Sequence, residues 1–190
     1  MVNLRLKIKN LIANVYKKKI HDRQGVFLLD LFLVIIYKLS IFMKLTIVLA
    51  GKVKDNDYQR IINDYATRLN SFVNFEFREL KVAEDLPLKD KEIVKLFELG
   101  KDSFKIAMDL EGESYTSESF ANFLNETLNI KKNVVFYIGG AFGLGKQFLS
   151  RCDKLISLSR MTMAHKVALL VLFEQIYRAF TIISGHPYHK

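Results

Sequence analysis

The sequence is short of residues that build cross-links and metal centres. It has one cysteine, Cys152, among 190 residues. A single thiol excludes an internal disulfide and any cysteine-based metal site. Such usage fits a reducing compartment, so a cytoplasmic location is expected. Cys152 reads as a small residue in a helix rather than as a reactive thiol. Tryptophan is absent, and the fifteen Phe and eight Tyr say little about function. No H-E-x-x-H or Cys/His cluster occurs, so no metal is expected. His186-Pro-Tyr-His189 is too short and too terminal to hold one alone. No serine or cysteine sits in a G-x-S-x-G context. Internal repeats and low-complexity linkers are also missing.

The length suits one domain, or one domain with an appendage. Half of the residues are hydrophobic and 26% are charged, which is ordinary for a protein with a packed core. The net charge of +9 is uneven. Residues 1–42 hold eight Lys/Arg against two Asp, whereas residues 43–190 hold 21 against 18 acids. Within the latter, residues 146–190 hold seven against two, with three of the four histidines. A locally basic end suits an anionic partner such as nucleic acid; an ordinary solvated face has the same composition.

Residues 1–42 look foreign to the rest of the chain. A basic region with Lys17, Lys18 and Lys19 precedes the apolar run Val26–Phe42. That run is shorter than the roughly 20 residues of a bilayer span, and Asp30 and Lys38 interrupt it. No small-residue cleavage site comes after it. The expectation is an atypical extension, 1–42, arising from an upstream start, with the functional domain at 43–190. A membrane-associating leader is the rival reading; no stable membrane association is expected.

From Met43 onward the pattern alternates regularly. Strands are expected at 44–50, 75–80, 103–110, 134–138 and 154–158. Helices are expected near 57–71, from Pro87 to about Leu99 with Gly100 as its stop, at 118–129 behind Thr116 or Ser117, at 146–152 and at 165–183. Alternation of this kind argues for an α/β domain with a largely parallel sheet. The last helix is apolar on every face around Val167–Phe173, and such a helix must be covered all round. One sheet in so small a domain cannot do that, so a homodimer packed on this helix is expected.

The most informative stretch is Val134–Lys166. Two apolar runs end abruptly, one in Gly139-Gly140-Ala-Phe-Gly143-Leu-Gly145 and the other in Leu158-Ser159-Arg160-Met161-Thr162-Met163-Ala164-His165. Parallel strand ends are where ligands bind, and glycines let a ligand approach the backbone. Gly140–Lys146 nearly matches a P-loop, but Gln147 stands where a hydroxyl should ligate Mg²⁺. A nucleotide hydrolase is therefore disfavoured. A non-catalytic RNA-binding protein, or a membrane-attached one, remains a competing class.

The span Met43–Lys190 resembles the RlmH family of SPOUT methyltransferases. The resemblance rests on Met43-Lys-Leu-Thr-Ile, Met108-Asp-Leu-Glu-Gly112, Ile138-Gly139-Gly140 with Gly143-Leu144, and Leu158–Met163 with His165. It rests also on Glu174-Gln-Ile-Tyr-Arg-Ala179 and His186-Pro-Tyr-His-Lys190. It implies an α/β SPOUT-type sheet with a C-terminal trefoil knot, a homodimer, and S-adenosylmethionine (SAM) as cofactor. It implies methylation of N3 of a pseudouridine in large-subunit (23S) ribosomal RNA, on assembled ribosomes. Carried over by position, Met108, Gly139, Leu158, Ser159, Arg160, Met161, Thr162 and Met163 would bind SAM. Candidate catalytic residues are His165, Arg178, Tyr188 and His189; candidate substrate contacts are Arg178, His186, Tyr188, His189 and Lys190. Two features depart from the family pattern: Ala164 stands where a proline often precedes the histidine, and residues 1–42 have no counterpart.

Overall fold

The computed structural model describes residues 43–82 and 87–188. The expectations for 1–42, His189 and Lys190 lie outside these residues. Five parallel strands form one sheet: β1 (Lys44–Ala50), β2 (Asn74–Leu80), β3 (Phe104–Ser114), β4 (Asn133–Ile138) and β5 (Lys154–Ser157). Their order across the sheet is β2-β1-β4-β3-β5. The helices are α1 (Asn56–Leu69), α2 (Asp90–Leu99), α3 (Ser117–Lys131), α4 (Lys146–Leu149) and α5 (His165–Ser184).

The central strands show why the sheet is covered on both faces. β1 pairs with β2 and β4, and it is buried along almost its whole length. Its side chains alternate between two cores. Leu45, Ile47 and Leu49 join Phe120, Leu124, Phe136, Phe173 and Phe180 under α1, α3 and α5. Val48 and Ala50 join Leu96, Tyr137 and Phe148 under α2 and α4. Direction explains which helix lies where. The steps β1→β2 and β3→β4 run one way across the sheet, and β2→β3 and β4→β5 run the other way. Crossovers of one hand then put α1 and α3 on one face and α2 and α4 on the other.

Helix ends follow local hydrogen bonding. Asp55 caps α1, its carboxylate accepting from the Asp57 N–H at 2.9 Å. Thr116 caps α3 through the Ser119 N–H at 3.2 Å. Helix α2 starts at Asp90 rather than at Pro87. The Glu92 carboxylate reaches back to the Lys89 N–H at 2.8 Å and fixes the start there. Gly100 does end α2, but its φ of −111° needs no glycine. The requirement is space: a Cβ at Gly100 would lie 1.9 Å from the Tyr137 hydroxyl.

β3 does not end at Leu110, as the expected strand 103–110 would, before the turn-like Glu111-Gly112. It pairs with β5 through Met108↔Ile156, bulges over Asp109–Gly112, and pairs again through Glu113↔Ile156 and Ser114↔Ser157. Gly112 makes this possible, because a Cβ there would sit 2.5 Å from the Ile156 backbone. Lys154 and Glu113 form an ion pair just beyond the bulge.

α5 is better covered by its own chain than the sequence suggested. Leu169, Leu172, Phe173, Ile176, Tyr177 and Phe180 are buried against α1, α3 and the sheet. Phe173 meets Phe75 and Phe77 of β2, and Phe180 stacks on Phe72. α5 is long and apolar enough to cross a membrane, but this burial is that of a core helix. Val167, Leu170, Val171, Ile182 and Ile183 remain at least partly open.

The tight fit at Gly100 gives a stability test. Gly100→Ala should cost about 1–3 kcal/mol by overpacking. Combined with Tyr137→Phe, which removes the clashing hydroxyl and its bond to the Leu96 carbonyl at 3.1 Å, the cost should fall below the sum of the single variants. Urea unfolding of the four proteins measures this coupling.

Candidate active site

β3, β4 and β5 all end at the same edge of the sheet, and a cavity of about 730 Å³ opens there. That volume is in the range of small-molecule sites. β3 contributes Met108, Asp109, Leu110 and Glu111, and β4 with its turn contributes Ile138, Gly139, Gly140, Ala141 and Gly143. The segment after β5 contributes Ser157, Leu158, Ser159, Met161, Thr162, Met163 and Ala164, and α5 contributes His165 and Ala168.

The turn after β4 is held backbone against backbone. The Gly143 N–H donates to the Gly140 carbonyl at 3.0 Å. A Cβ on Gly139 would lie 2.3 Å from the Gly143 carbonyl carbon, and Gly143 has a φ of +67°. Only glycine fits both demands at these two positions. The segment after β5 is shaped by its serines. The Ser157 hydroxyl donates to the Ser159 carbonyl at 2.9 Å, and the Ser159 hydroxyl accepts from the Met161 N–H at 3.0 Å. The latter is a serine turn.

α5 begins at the cavity, and its N-cap Ala164 has no side chain able to accept from the first-turn N–H groups. Those donors have no intrahelical partner, and they favour a carboxylate or another acceptor at this end of the site. On the other side, Asp109 and Glu111 bring two carboxylates to a lining otherwise rich in Met, Leu and Ile. The Asp109 carboxylate also accepts from the Glu111 N–H at 3.0 Å, which fixes the bulge. The arrangement suits a ligand with an apolar body, a positive group and an acceptor end.

Seven of the eight residues expected to hold the cofactor line the cavity: Met108, Gly139, Leu158, Ser159, Met161, Thr162 and Met163. Arg160 does not; it is exposed within the serine turn. Sequence reasoning missed Asp109 and Glu111. The signal was the short acidic turn before Gly112, which reads as a simple strand end until the bulge is seen. Lys146 and Gln147 are outside the lining, so the P-loop resemblance has no counterpart in the site.

The candidate catalytic residues fall into two places. His165 lines the cavity. Arg178 lies 13 residues further along α5, a rise of about 20 Å, and Tyr188 packs beside it. Within one chain these residues do not meet. Arg178 is paired with Glu174, its Nη2 lying 2.6 Å from Oε1, and that hydrogen bond raises its pKa further. Burial, and next a hydrogen bond with Tyr65, push the Tyr188 phenol up to about 12. Tyr188 therefore holds its proton at neutral pH. His186 is exposed, and its Nδ1 accepts from the Tyr188 N–H at 3.2 Å. Among the described residues no His/Cys/Asp/Glu group could hold a metal ion.

A family model described as Predicted SPOUT methyltransferase matches residues 43–189. The chain belongs to the SPOUT methyltransferase family. It is similar to proteins named Ribosomal RNA large subunit methyltransferase H. One from Carboxydothermus hydrogenoformans is 39% identical, one from Clostridium botulinum (strain Kyoto / Type A2) 36%, and one from Malacoplasma penetrans 34%. Each alignment covers 78% of this chain and 100% of the relative. Among solved structures, a probable methyltransferase from Bordetella pertussis Tohama I aligns with a TM-score of 0.47 at 12% identity, covering 74% of this chain and 98% of that one. The SpoU methyltransferase AviRb from Streptomyces viridochromogenes, in complex with AdoMet, aligns at 0.42 and 11%, covering 76% and 59%.

Cys152 does not line the cavity. Its thiol donates to the Phe148 carbonyl at 3.6 Å, and burial with the nearby Asp153 raises it to about 12. A raised pKa keeps the thiol neutral below that pH. Near pH 8, a thiol reagent should modify the native protein at least about tenfold more slowly than the unfolded chain, whose cysteine has an ordinary pKa of about 8.5. Absorbance of the released thiolate product follows both rates.

Proposed function

We propose that this chain uses SAM to methylate N3 of a pseudouridine in large-subunit (23S) ribosomal RNA, acting on assembled ribosomes as a cytoplasmic homodimer. The observation that carries the proposal is the cavity at the ends of β3, β4 and β5, walled by the Gly139–Gly143 turn and the 157–164 segment. Its occurrence in a SPOUT chain similar to full-length relatives named for large-subunit RNA supports the substrate class.

The residues present fit the cofactor. Met108, Leu158 and Met163 offer apolar cover for an adenine ring. Asp109 and Glu111 suit a sulfonium and an ammonium group. The open N–H groups at the start of α5 suit a carboxylate. When bound, SAM supplies an electrophilic methyl group. The protein must do the rest: orient the base in line with that group and take one proton from N3. His165 is at the cavity, and a neutral imidazole accepts a proton at physiological pH; His189 is the second candidate. Arg178 stays charged, so it would favour negative charge developing on the base or hold a phosphate. Lys190 and His186 are further candidate contacts to RNA.

The separation of these groups supports a homodimer. His165 and the cavity are at one end of α5, and Arg178 and Tyr188 are at the other. A second chain packed on the open face, with Val167, Leu170 and Val171, would bring its tail to this cavity and make the site composite. The trefoil knot is part of the same proposal. The chain leaves α4 on one face, forms β5 at the sheet edge, and returns as α5 on the opposite face past the 109–112 bulge.

Calorimetry on the full chain should show saturable SAM binding. Gly139→Ala should abolish it, with the circular-dichroism spectrum reporting whether the sheet survives. Tritiated methyl transfer should occur to ribosomes containing the pseudouridine and not to ribosomes with uridine there. The domain's modest charge predicts poor activity on a naked stem-loop; equal activity on both substrates would contradict the ribosome requirement. His189→Ala with unchanged turnover at saturating SAM would leave His165 as the base.

A further inference from the structure

Glu174 is a half-buried carboxylate on α5 that does not line the cavity. Three side chains converge on it. Arg178 donates to Oε1 from Nε at 2.9 Å and from Nη2 at 2.6 Å. Gln175 donates to Oε2 at 2.7 Å, and the Tyr188 hydroxyl donates to Oε1 at 3.3 Å. The Tyr188 ring lies edge-on to Tyr177 at 4.9 Å, with the Arg178 guanidinium 5.0 Å from its centre.

The chain reaches this cluster by reversing after α5. Gly185 takes a left-handed φ of +68°, and the His186 N–H returns to the Thr181 carbonyl at 2.9 Å. The αL cap turns the chain back, so residue 188 meets α5 near residues 174–178. A carboxylate suits the meeting point, because an ionised oxygen accepts several donors at once and each bond is charge-assisted. An isolated i,i+4 ion pair would only steady the helix slightly. Here the same oxygen also receives a donor from 14 residues away.

We propose that Glu174 is a positioning residue: it docks the 185–188 segment on α5 and so sets where Arg178 and Tyr188 meet the RNA. Only the kinetic arm of the test rests on the methyltransferase reading; the docking is measured without activity.

The test compares the full-length wild type with Glu174→Ala, Glu174→Gln and Tyr188→Phe. Hydrogen exchange read by mass spectrometry should speed up about tenfold or more in the peptide containing His186 and Tyr188 in Glu174→Ala. Peptides from the buried middle of α5 should stay protected. Tyr188→Phe should loosen the same peptide, and adding Glu174→Ala to it should loosen it little further. Glu174→Gln keeps an accepting oxygen and should restore part of the protection. On ribosomes, Glu174→Ala should lower kcat/KM about tenfold while the Kd for SAM stays within about twofold.

Unchanged exchange in Glu174→Ala with α5 intact would overturn the docking. A loosened tail with unchanged kcat/KM would overturn the positioning role. If Glu174→Ala disturbs α5 itself, Glu174→Gln and Tyr188→Phe decide by the same readouts. If the wild type transfers no methyl group, the proposed function fails on its own, and the exchange result alone decides the docking.

Discussion

Backbone packed on backbone at the ends of β3, β4 and β5 is the constraint on which the site depends. Gly139 lies so close to Gly143 that no side chain can come between them, and Gly112 lies as close to Ile156 of β5. These approaches let three strands end together without bulk at their tips. A cavity then forms whose floor at the β4 turn is main chain, with Met, Leu and Ile side chains on its other walls. Any Cβ at Gly139 or Gly112 must move a strand end, and the strands are fixed by two cores beneath them. The site is therefore rigid because the sheet is rigid.

The same sheet divides the labour along α5. Its N-terminal turn opens into the cavity, where N–H groups without intrahelical partners are useful. Its middle is buried by α1, α3 and the aromatic side chains of β2, which anchors the helix. Its C-terminal half carries a polar cluster around Glu174. One rigid helix thus fixes two chemically distinct groups about 20 Å apart. That separation gives the proposed second chain its role, because its Arg178 and Tyr188 would meet the cavity that His165 lines here.

Much of the fold was legible because local physics wrote it. The apolar runs 44–50 and 134–138 read as buried strands, and they are the central pair of the sheet. Thr116 caps α3, as a hydroxyl residue before an apolar-periodic segment should. Two elements misled. Pro87 suggested a helix start that the Glu92–Lys89 bond places later. Gly112 suggested a strand end, yet β3 pairs with β5 on both sides of the bulge. In both cases a local signal was outweighed by a contact the signal did not contain. The cavity lining was legible only through family resemblance; composition and spacing alone suggest ordinary strand-end packing. Asp109 and Glu111 escaped because their partner strand is more than 40 residues away.

By itself the sequence determined the elements, their alternation, the buried character of β1 and β4, and the absence of disulfide chemistry. Those properties follow from side-chain period and composition, which are local. The tertiary structure decided the strand order β2-β1-β4-β3-β5, the bulge over β5, the gathering of three segments around one cavity, and the return of Tyr188 onto Glu174. These depend on which distant backbones approach within van der Waals contact, and no local pattern encodes that choice.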